Sequence, residues 1–588
     1  MKPLRTLLLS ALLFIVAAAQ AVPADPTPTV VLQPDGTSLT IMLQGDEFFA
    51  LTTTADGYTL LKRHDGFYVY AERQTDGTLA ESAFVAHNAD ERSPEEAAFL
   101  ALQGKGVASS SARAAAKEQR RLASVQSDGL VRKPKAYYNY SNFRGLVILV
   151  EYNDCKFSRS DAAQLFGDMV SKKDYQGIMS ADGTTLEAAY TGSVRDYFYD
   201  NSLGRFDPQF DVVGPVTVDV SQYYAKSTTN GVTLAKKAVE AADSLVDFSL
   251  YDRDGDGIVE MLYIIYAGHG ANIVGNNSNL LWPHTSNLGY RIKDGVKLYR
   301  YACSTEFTGK EGTAIIDGIG TICHEFSHVL GLRDEYDVDY EKSGGQSIHP
   351  ASWSIMASGS YNNYSRTPAG FTLSQRYQAG FSTPTLITTP GAYTVPSLED
   401  TGTGYRINSA VDNEFFLLEN RRKTKWDLYL PAEGLLVFRV DSTKVSAWNT
   451  NTVNSNPTHN YLELIRAVPA TEAVAAATDV FPQDTVTRLT NLTTPSLRSW
   501  DGTATPLVIE NIAQNDDGTI AIDINTHEND LTPIASATTD DDSSDDETVE
   551  TILYDISGRR IRQLSDGQAA LRIRVLRSGA VVREKVMR

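Results

Sequence analysis

The chain has 588 residues, more than a single hydrophobic core accommodates, so its length predicts several domains. Apolar residues make up 42% of the sequence and charged residues 21%, as in ordinary globular proteins. Acidic residues outnumber basic ones by 73 to 53, and the resulting formal charge of -20 argues against nucleic acid as a partner, because such a surface repels phosphate.

The first residues have the pattern of a secretory signal peptide. A basic start, MKPLR, precedes an apolar run over residues 7–19, and Ala-Gln-Ala at 19–21 supplies a small-x-small cleavage pattern. A membrane-spanning helix needs about twenty apolar residues, and neither this run nor any later segment provides them. We therefore predict a signal peptide over residues 1–21, an exported protein and no transmembrane segment.

Residues 22–135 form the next predicted unit, a pro-region of α+β type. Asp-Gly pairs recur between short alternating runs in residues 33–72, which is typical of a meander of hairpins that ends near residue 90. Polar segments rich in Ala, Glu, Lys and Arg then predict helices. A basic cluster in this connector is either a solvated helix face or a cleavage site between a pro-region and an enzyme. Its members are Arg120, Arg121, Arg132, Lys133 and Lys135.

Residues 136–385 have the pattern of an α/β domain. The run LVILV at 146–150 and the segment GIVEMLYIIYAG at 257–268 predict strands that are buried on both faces. Ser193 is placed to cap an aromatic-rich helix that ends near Gly204. Because such strands alternate with helical segments, the domain is predicted to be α/β.

The remainder of the chain is predicted to be rich in β-structure. EFFLLENRR, GLLVFRVD and NYLELIRA are short strand patterns between turns, which predicts a β-rich domain over residues 386–525. Residues 526–550 are polar and acidic and lack aromatic side chains, which is typical of a disordered linker. Residues 551–588 recover strand alternation and predict a small separate β element.

The cysteine content argues against a disulfide framework or a thiolate metal site. Only Cys155, Cys303 and Cys323 are present, and no C-x-x-C pair occurs among them. One pair could bridge in an oxidising compartment, and the sequence does not say which.

The stretch TICHEFSHVLGLRDEYD carries the strongest chemical signal. His324 and His328 are four residues apart, so on a helix they lie about 40° apart on one face and can share a zinc ion. Glu325 stands beside the first ligand, where it can accept a proton from the attacking water. Gly331 can end the helix in the left-handed conformation, which lets the Asp334 carboxylate return as a third ligand. The alternative is two exposed histidines with a salt-bridging glutamate. It is disfavoured because the chain has only 9 histidines, so two of them would rarely fall at this spacing by chance.

The segment WSIMASGSY follows and contains two further candidates. Met356 in a tight turn would form an apolar floor under the two histidines, although alone it would be read as a core residue. Tyr361 is a candidate donor to the developing oxyanion, with a purely structural tyrosine as the alternative.

The acidic segment YDRDGDGIVE is a candidate calcium loop. Asp252, Asp254 and Asp256 occupy positions 1, 3 and 5, and Glu260 occupies position 9, a spacing of hard oxygen ligands that suits Ca²⁺. Position 12 is Tyr263 where an EF-hand has a bidentate glutamate. An acidic surface turn before a strand is the alternative.

HEFSHVLGLRDEYD together with WSIMASGSY resembles the M6 metallopeptidases, the immune-inhibitor-A-like branch of the metzincins. Segments such as SVRDYFYDNSLGRF, YDRDGDGIVEMLYIIYAG and EFFLLENRRKTKWDLYLPAEGLLVFRVD are also similar to that family, so the resemblance covers most of residues 30–525. Arg333 departs from it, because the family usually has proline there.

The resemblance implies a fold and a set of roles. The chain would be multidomain, with a metzincin-like α/β catalytic domain between the pro-region and the C-terminal β-rich domains. Carried onto this sequence, the family pattern implies zinc ligands at His324, His328 and Asp334, a general base and acid at Glu325, and a Met-turn methionine at Met356.

The tail segment TILYDISGRRIRQ resembles the C-terminal sorting domains of type IX secretion cargo. This resemblance implies that the secretion machinery is a partner through both the signal peptide and the tail, and that the protein is secreted or attached to the bacterial cell surface. The final AALRIRVLRSGAVVREKVMR departs from the usual glycine-aromatic strand pattern. A small adhesive β module is the alternative.

These observations favour a secreted zinc endopeptidase that acts on protein or peptide substrates. A surface adhesin built on a protease-like scaffold is the alternative from another class, but a pure binder has no need of Glu325. A zinc hydrolase of another bond, such as an ester, is a third hypothesis. Latency through a cysteine thiolate is excluded, because no cysteine precedes Cys155, so a carboxylate or steric blocking would be required.

Overall fold

A computed structural model describes most of the chain. The described residues are 22–116, 143–180, 183–224, 228–274, 279–309, 312–339, 346–526, 548–555, 560–561, 569–576 and 581–587. The predicted signal peptide, the basic cluster at 120–135 and the greater part of the acidic linker lie outside these residues.

The N-terminal unit is a six-stranded antiparallel meander, as the Asp-Gly spacing predicts. Its strands pair in sequence order and are β1 (Thr29–Leu32), β2 (Ser38–Gly45), β3 (Ala50–Thr54), β4 (Thr59–Lys62), β5 (Tyr68–Arg73) and β6 (Leu79–Val85). Helix α1 (Pro94–Leu100) follows, and it starts at a reciprocal capping box between Ser93 and Glu96.

The central sheet has six strands, and most of them are parallel. They are β7 (Arg144–Glu151), β10 (Gln209–Thr217), β11 (Leu262–His269), β12 (His284–Lys293), β13 (Val296–Thr308) and β14 (Ile315–Ile316). Their order is β10-β7-β11-β13-β12, with β14 beside β13 and with β12 and β14 running antiparallel to β13. A separate hairpin pairs β8 (Gly177–Met179) with β9 (Leu186–Ala189).

Strand β7 shows why a continuous apolar run is needed at the centre of this sheet. Val147 and Leu149 face one core cluster, and the alternating residues Leu146, Ile148 and Val150 face another. Both sheet faces are therefore covered, as in α/β folds.

Helices pack on both faces of the central sheet. Those that contribute to the first cluster are α2 (Ala162–Ser171), α3 (Val194–Asn201) and α6 (Gly320–Val329), whereas α4 (Thr228–Ala242) contributes to the second. A short helix, α5 (Ala271–Val274), follows β11. Ser193 caps α3 as predicted, because its hydroxyl accepts from the Asp196 amide.

The C-terminal part consists of two packed sheets and a further small sheet. The five-stranded sheet, in the order β15-β17-β18-β19-β20, contains β15 (Thr385–Leu386), β17 (Tyr405–Asn408), β18 (Glu414–Arg421), β19 (Gly434–Asp441) and β20 (Leu462–Ile465). The three-stranded sheet contains β16 (Gly391–Val395), β21 (Leu507–Gln514) and β22 (Ile520–Thr526). Short helices in this region are α7 (Leu373–Gln378), α8 (Leu398–Thr401) and α9 (Val445–Asn449).

One face of the five-stranded sheet packs on the three-stranded sheet, and the other packs on the segment that follows α6. Phe416 and Leu418 lie in a core shared with the smaller sheet, whereas Phe415 and Leu417 contact a cluster that contains Trp353. Every residue of β18 is therefore buried. The β-rich part and the α/β part share a continuous interface.

The last strands form a four-stranded antiparallel sheet with the order β24-β23-β25-β26. They are β23 (Thr548–Asp555), β24 (Arg560–Ile561), β25 (Ala569–Leu576) and β26 (Val581–Met587). None of the helices in the described part of the chain combines the length and apolar character needed to cross a bilayer.

Candidate metal centre

Helix α6 (Gly320–Val329) carries the two histidines through the interior of the α/β part, and all of its residues are buried. The helix ends where the sequence predicts, because Gly331 has a φ of +95°. The Leu332 amide bonds back to the Ser327 carbonyl at 3.1 Å, as in a Schellman-type end. The chain can therefore turn back at this point towards the histidine face.

The turn brings Asp334 to the two imidazoles. Oδ1 of Asp334 lies 3.2 Å from Nε2 of His324 and 3.3 Å from Nε2 of His328. All three residues are buried, and one ligand atom from each lies within 4.8 Å of the others. Burial acts to raise the pKa of Asp334, but the two imidazoles outweigh it and hold that pKa well below its usual range.

Hydrogen bonds fix the tautomer of each histidine. Nδ1 of His324 is 2.7 Å from the Ile355 carbonyl oxygen, and Nδ1 of His328 is 3.0 Å from the Leu332 carbonyl oxygen. A carbonyl only accepts, so each Nδ1 carries the proton and each Nε2 presents a lone pair towards the other ring and Asp334.

These three residues fit a catalytic zinc ion. His324 Nε2, His328 Nε2 and Asp334 Oδ1 are buried side-chain atoms that have no hydrogen-bond partner, which is costly unless a cation satisfies them. Two imidazole nitrogens and one carboxylate oxygen are a ligand set that zinc accepts, with a fourth position left for water or substrate.

Glu325 lies beside this centre and is held by a residue from strand β12. Its Oε2 accepts a hydrogen bond of 2.6 Å from the hydroxyl of Thr285. Its Oε1 accepts a hydrogen bond of 2.9 Å from the backbone amide of Val22, in the N-terminal segment. Complete burial raises the pKa of Glu325 above its usual range, which makes the carboxylate a better proton acceptor.

Comparison with known proteins agrees with this geometry. Residues 139–379 match the family described as "Immune inhibitor A peptidase M6, catalytic domain". Residues 139–379 are an M6 peptidase domain.

Two curated relatives each match part of the chain. Pre-pro-metalloprotease PrtV of Vibrio cholerae serotype O1 is 26% identical over an alignment of 258 residues, and the match covers 37% of this chain and 27% of PrtV. Immune inhibitor A of Bacillus thuringiensis subsp. alesti is 27% identical over an alignment of 280 residues, and the match covers 40% of this chain and 37% of that protein. The chain thus spans well under half the length of the curated relatives that it matches.

A crystal structure of wild type OgpA from Akkermansia muciniphila aligns with 78% of this chain and 94% of its own. The sequence identity is 10% and the TM-score 0.22.

The turn that contains Met356 lies against the loop of the third ligand in the M6 domain. The Met356 carbonyl accepts from the amide of Glu335, which follows Asp334, at 2.7 Å, and the preceding carbonyl of Ile355 holds His324. The Met356 side chain is fully buried in the cluster that also contains Phe326. These contacts place the turn at the histidines, as the sequence predicts, and the role of its side chain stays a prediction.

An extended N-terminal segment occupies the site of the M6 domain. Besides the contact of Val22 with Glu325, the Val22 carbonyl accepts from Nε1 of Trp282 at 2.9 Å. The Pro23 carbonyl accepts from the hydroxyl of Tyr361 at 2.5 Å. The Ala24 side chain packs in an apolar cluster with Trp282. Residues 22–24 are buried and bound through their backbone, in the manner of a peptide substrate.

Tyr361 therefore contacts a peptide carbonyl, but not the one that would become an oxyanion. The scissile carbonyl of a substrate bound like this segment precedes the nitrogen that faces Glu325, whereas the carbonyl of Pro23 follows it. Burial raises the pKa of Tyr361, so its hydroxyl keeps its proton and can donate. The contact supports substrate-backbone binding, and oxyanion stabilisation stays a prediction.

The sequence did not indicate two residues of the site. Thr285 reaches Glu325 from β12, and Asn451 of the β-rich part bonds to Asp334 with Nδ2 to Oδ2 at 2.5 Å. A signal for β12 was present, because an Asp-Gly pair at 294–295 joins it to β13 and both residues have positive φ. No local signal marks Asn451.

The structure brings together three of the four predicted calcium ligands. Asp252, Asp254 and Glu260 each offer an oxygen within 4.8 Å of the others, and Asp256 is outside this group. Asp252 Oδ1 and Glu260 Oε2 are buried atoms without a hydrogen-bond partner. Burial raises the pKa of Glu260 to about 7. The calcium site stays a prediction, as acidic groups often lie together without a cation.

The three cysteines are free thiols. Cys303 and Cys323 are buried and Cys155 is partly buried. Burial raises the pKa of the Cys323 thiol well above its usual range, so this neighbour of His324 is a core residue, as the sequence predicts.

Proposed function

We propose that the protein is a secreted zinc endopeptidase that hydrolyses peptide bonds of extracellular proteins, with Glu325 as the general base and acid. The single observation that carries this proposal is the convergence of three unpartnered buried ligand atoms, from His324, His328 and Asp334, beside a buried carboxylate that faces a peptide nitrogen. The match of residues 139–379 to the M6 peptidase family supports it.

Each residue of the site has a distinct part in this mechanism. When bound, zinc supplies a Lewis acid that activates water and polarises the scissile carbonyl. Glu325 takes the proton from the attacking water and passes it to the leaving nitrogen, the group whose place the Val22 amide occupies. Thr285 holds Oε2 of Glu325 and leaves Oε1 to face the substrate. Tyr361 binds the backbone beyond the scissile bond.

Substitution of Glu325 tests this mechanism. We expect Glu325→Ala to keep one equivalent of zinc and to lose casein hydrolysis, because the base is removed and the ligands stay. Removing a catalytic base typically costs between about 10² and 10⁴ in rate. Metal analysis and a casein assay on the same preparation measure both quantities. Unchanged cleavage by the variant would remove Glu325 from the mechanism.

The role of Asp334 as the third ligand is tested by metal analysis of a second variant. Asp334→Ala is expected to lose zinc, and full retention would instead assign the third ligand to Glu335 or Asp337.

Assays of the wild-type chain separate the proposed function from the two alternatives. A wild-type chain that binds zinc and cleaves an ester substrate but no peptide would support a hydrolase of another bond. Wild-type protein without any hydrolytic activity after maturation would support a surface adhesin on a protease-like scaffold.

The N-terminal unit is proposed to be a pro-region that keeps the enzyme latent by steric blocking. Residues 22–24 fill the site, and the Ala24 amide is held at 2.8 Å by the Gly45 carbonyl of the six-stranded meander. Signal cleavage after residue 21 would make Val22 the amino terminus of the exported chain. Release of this segment would then expose Glu325 to substrate.

The segments before and after the catalytic domain are proposed to serve export and surface attachment. Residues 1–21 would direct export, residues 386–525 would form the β-rich domain that follows the catalytic domain, and residues 551–588 would act as a sorting element read by the secretion machinery. The strands found in 548–587 are compatible with such an element and equally with a small adhesive module. The protein would be secreted or attached to the bacterial cell surface.

A further inference from the structure

Asn451, from the β-rich part, makes a two-point contact with the third ligand of the metal centre. Its Oδ1 accepts from the backbone amide of Asp334 at 2.8 Å, and its Nδ2 donates to Asp334 Oδ2 at 2.5 Å. The two contacts fix the orientation of the amide, because a backbone N–H only donates and a carboxylate oxygen only accepts.

The two carboxylate oxygens of Asp334 have different surroundings. Oδ2 is occupied by Asn451, whereas Oδ1 has no hydrogen-bond partner and lies 3.2 Å and 3.3 Å from the Nε2 atoms of His324 and His328. With Oδ2 held in this way, rotation of the Asp334 carboxylate is restrained and Oδ1 stays directed at the two Nε2 atoms. Hydrogen bonds of this kind orient metal ligands in many sites.

The loop that carries Asn451 is itself held firmly. Asn451 has a φ of +58°, a conformation that asparagine tolerates better than most residues and that persists where surrounding contacts enforce it. The following residue, Thr452, bonds to the Ala447 carbonyl of α9 at 2.9 Å. Asn454 donates to the backbone carbonyl of Glu335 at 2.7 Å and does not reach a ligand side chain.

We propose that Asn451 is a positioning residue that presents Asp334 to the metal, and that the β-rich part is thereby a structural component of the metal centre. This inference rests on the proposed function, since it assumes that the centre binds zinc. Asn451 lies beyond residues 139–379, the region that matches the M6 peptidase family. The catalytic centre therefore extends beyond the domain that carries its ligands.

Two variants of the full chain test the contact. Asn451→Asp has the same shape and keeps an oxygen for the Asp334 amide, but it loses the N–H donor and places a second carboxylate against Oδ2. Asn451→Gly accepts the positive φ and removes the side chain. Asn454→Asp is the matched control, because it removes a donor from the same loop that does not reach a ligand side chain. The zinc dissociation constant is measured by competition with a chromophoric chelator, and the melting temperature on the metal-free proteins.

Both Asn451 variants are expected to raise the zinc dissociation constant by about 10-fold to 100-fold, the range found for lost outer partners of metal ligands. Asn454→Asp is expected to keep the wild-type constant. Metal-free Asn451→Asp should melt no lower than this control, because Asn451 is partly exposed and Asn454 is fully buried. Equal zinc affinity in wild type and both Asn451 variants would overturn the inference alone. Equal weakening in the Asn454 control would also overturn it, as a general loosening of the loop. A wild-type chain that takes up no zinc would refute the proposed function as well.

Discussion

At the scale of single residues, one hydroxyl holds the carboxylate of Glu325, the proposed general base. Thr285 donates to Oε2 of Glu325 at 2.6 Å, whereas Oε1 accepts from the Val22 amide of the N-terminal segment. We expect Thr285→Val to lower kcat by roughly 10-fold to 100-fold, since a hydrogen bond to a charged group contributes about 1.5–3 kcal/mol. KM and zinc content should stay near the wild-type values.

Thr285→Ser is the control for this prediction, because serine keeps the hydroxyl and loses only a methyl group. Peptide hydrolysis measured over a range of substrate concentrations separates kcat from KM. If the serine variant loses as much activity as the valine variant, Thr285 acts through packing and not through its hydrogen bond.

The same residues show how far sequence alone predicts the site. His324, Glu325 and His328 share one helix, so their spacing fixes their relative directions, and the φ of Gly331 follows from the need to return Asp334. The partners of these residues are distant in sequence. Thr285 is 40 residues from Glu325, and the amide that holds Asp334 is 117 residues away, separations at which no period or spacing constrains a contact.

At the scale of elements, the same contrast applies to the central sheet. The apolar runs in β7 and β11 predict buried strands, because both faces of such strands must be covered. The order β10-β7-β11-β13-β12 could not be predicted, since neighbouring strands are brought together by contacts between parts of the chain that lie far apart. The hairpin of β12 and β13, which delivers Thr285, depends on the turn at Asp294 and Gly295.

Strand β12 begins with a histidine whose burial predicts a pH dependence of stability. Nδ1 of His284 contacts the Trp282 carbonyl and Nε2 contacts the Tyr301 hydroxyl, both at 2.7 Å. Burial lowers the pKa of His284 to about 4. The folded state favours the neutral form of His284. The contribution of this histidine to the stability of the fold is therefore fully present above its ordinary pKa of about 6.5, and it is lost as the pH falls towards 4.

This histidine should destabilise the fold by roughly 3 kcal/mol on acidification from about pH 7 to about pH 4, at about 1.36 kcal/mol per unit of pKa difference. We expect His284→Asn, which cannot titrate, to lose less of its melting temperature over this interval than wild type. His64→Asn changes an exposed histidine and is the control. Identical pH profiles for His284→Asn and wild type would contradict the assignment.

At the scale of the whole molecule, the N-terminal unit, the α/β part and the β-rich part meet around the candidate metal centre. The β-rich part buries a charged cluster against the α/β part, where Arg421 bonds to Asp427 and its Nη2 donates to the Gly370 carbonyl at 3.1 Å. The N-terminal unit contributes the segment that covers Glu325. Such assembly depends on complementary surfaces of units that lie far apart in sequence. Composition and local pattern lead to a prediction of separate units, but they do not determine how the units meet.

Residues 22–24, the covering segment, should be displaced from Glu325 by a charged side chain at position 24. Ala24 is 5% exposed and packs with Leu43, Leu280 and Trp282, so the long charged side chain of Ala24→Arg cannot be accommodated there. Expulsion of the segment would free Oε1 of Glu325 for substrate. We expect the unprocessed Ala24→Arg chain to hydrolyse a short fluorogenic peptide at least about 10-fold faster than unprocessed wild type, since about 1.4 kcal/mol of lost segment binding is enough for this change.

Val30→Arg is the matched control, because it places the same charge on an exposed side chain of β1, the strand that follows the covering segment, and it should leave the wild-type rate unchanged. N-terminal sequencing of every sample is needed, because a processed fraction would mimic release. If unprocessed Ala24→Arg and wild type are equally inactive while processed wild type is active, latency depends on contacts other than the covering segment. Equal activity of the unprocessed and processed wild type would show that residues 22–24 yield to substrate without cleavage, and that their burial does not limit access to Glu325.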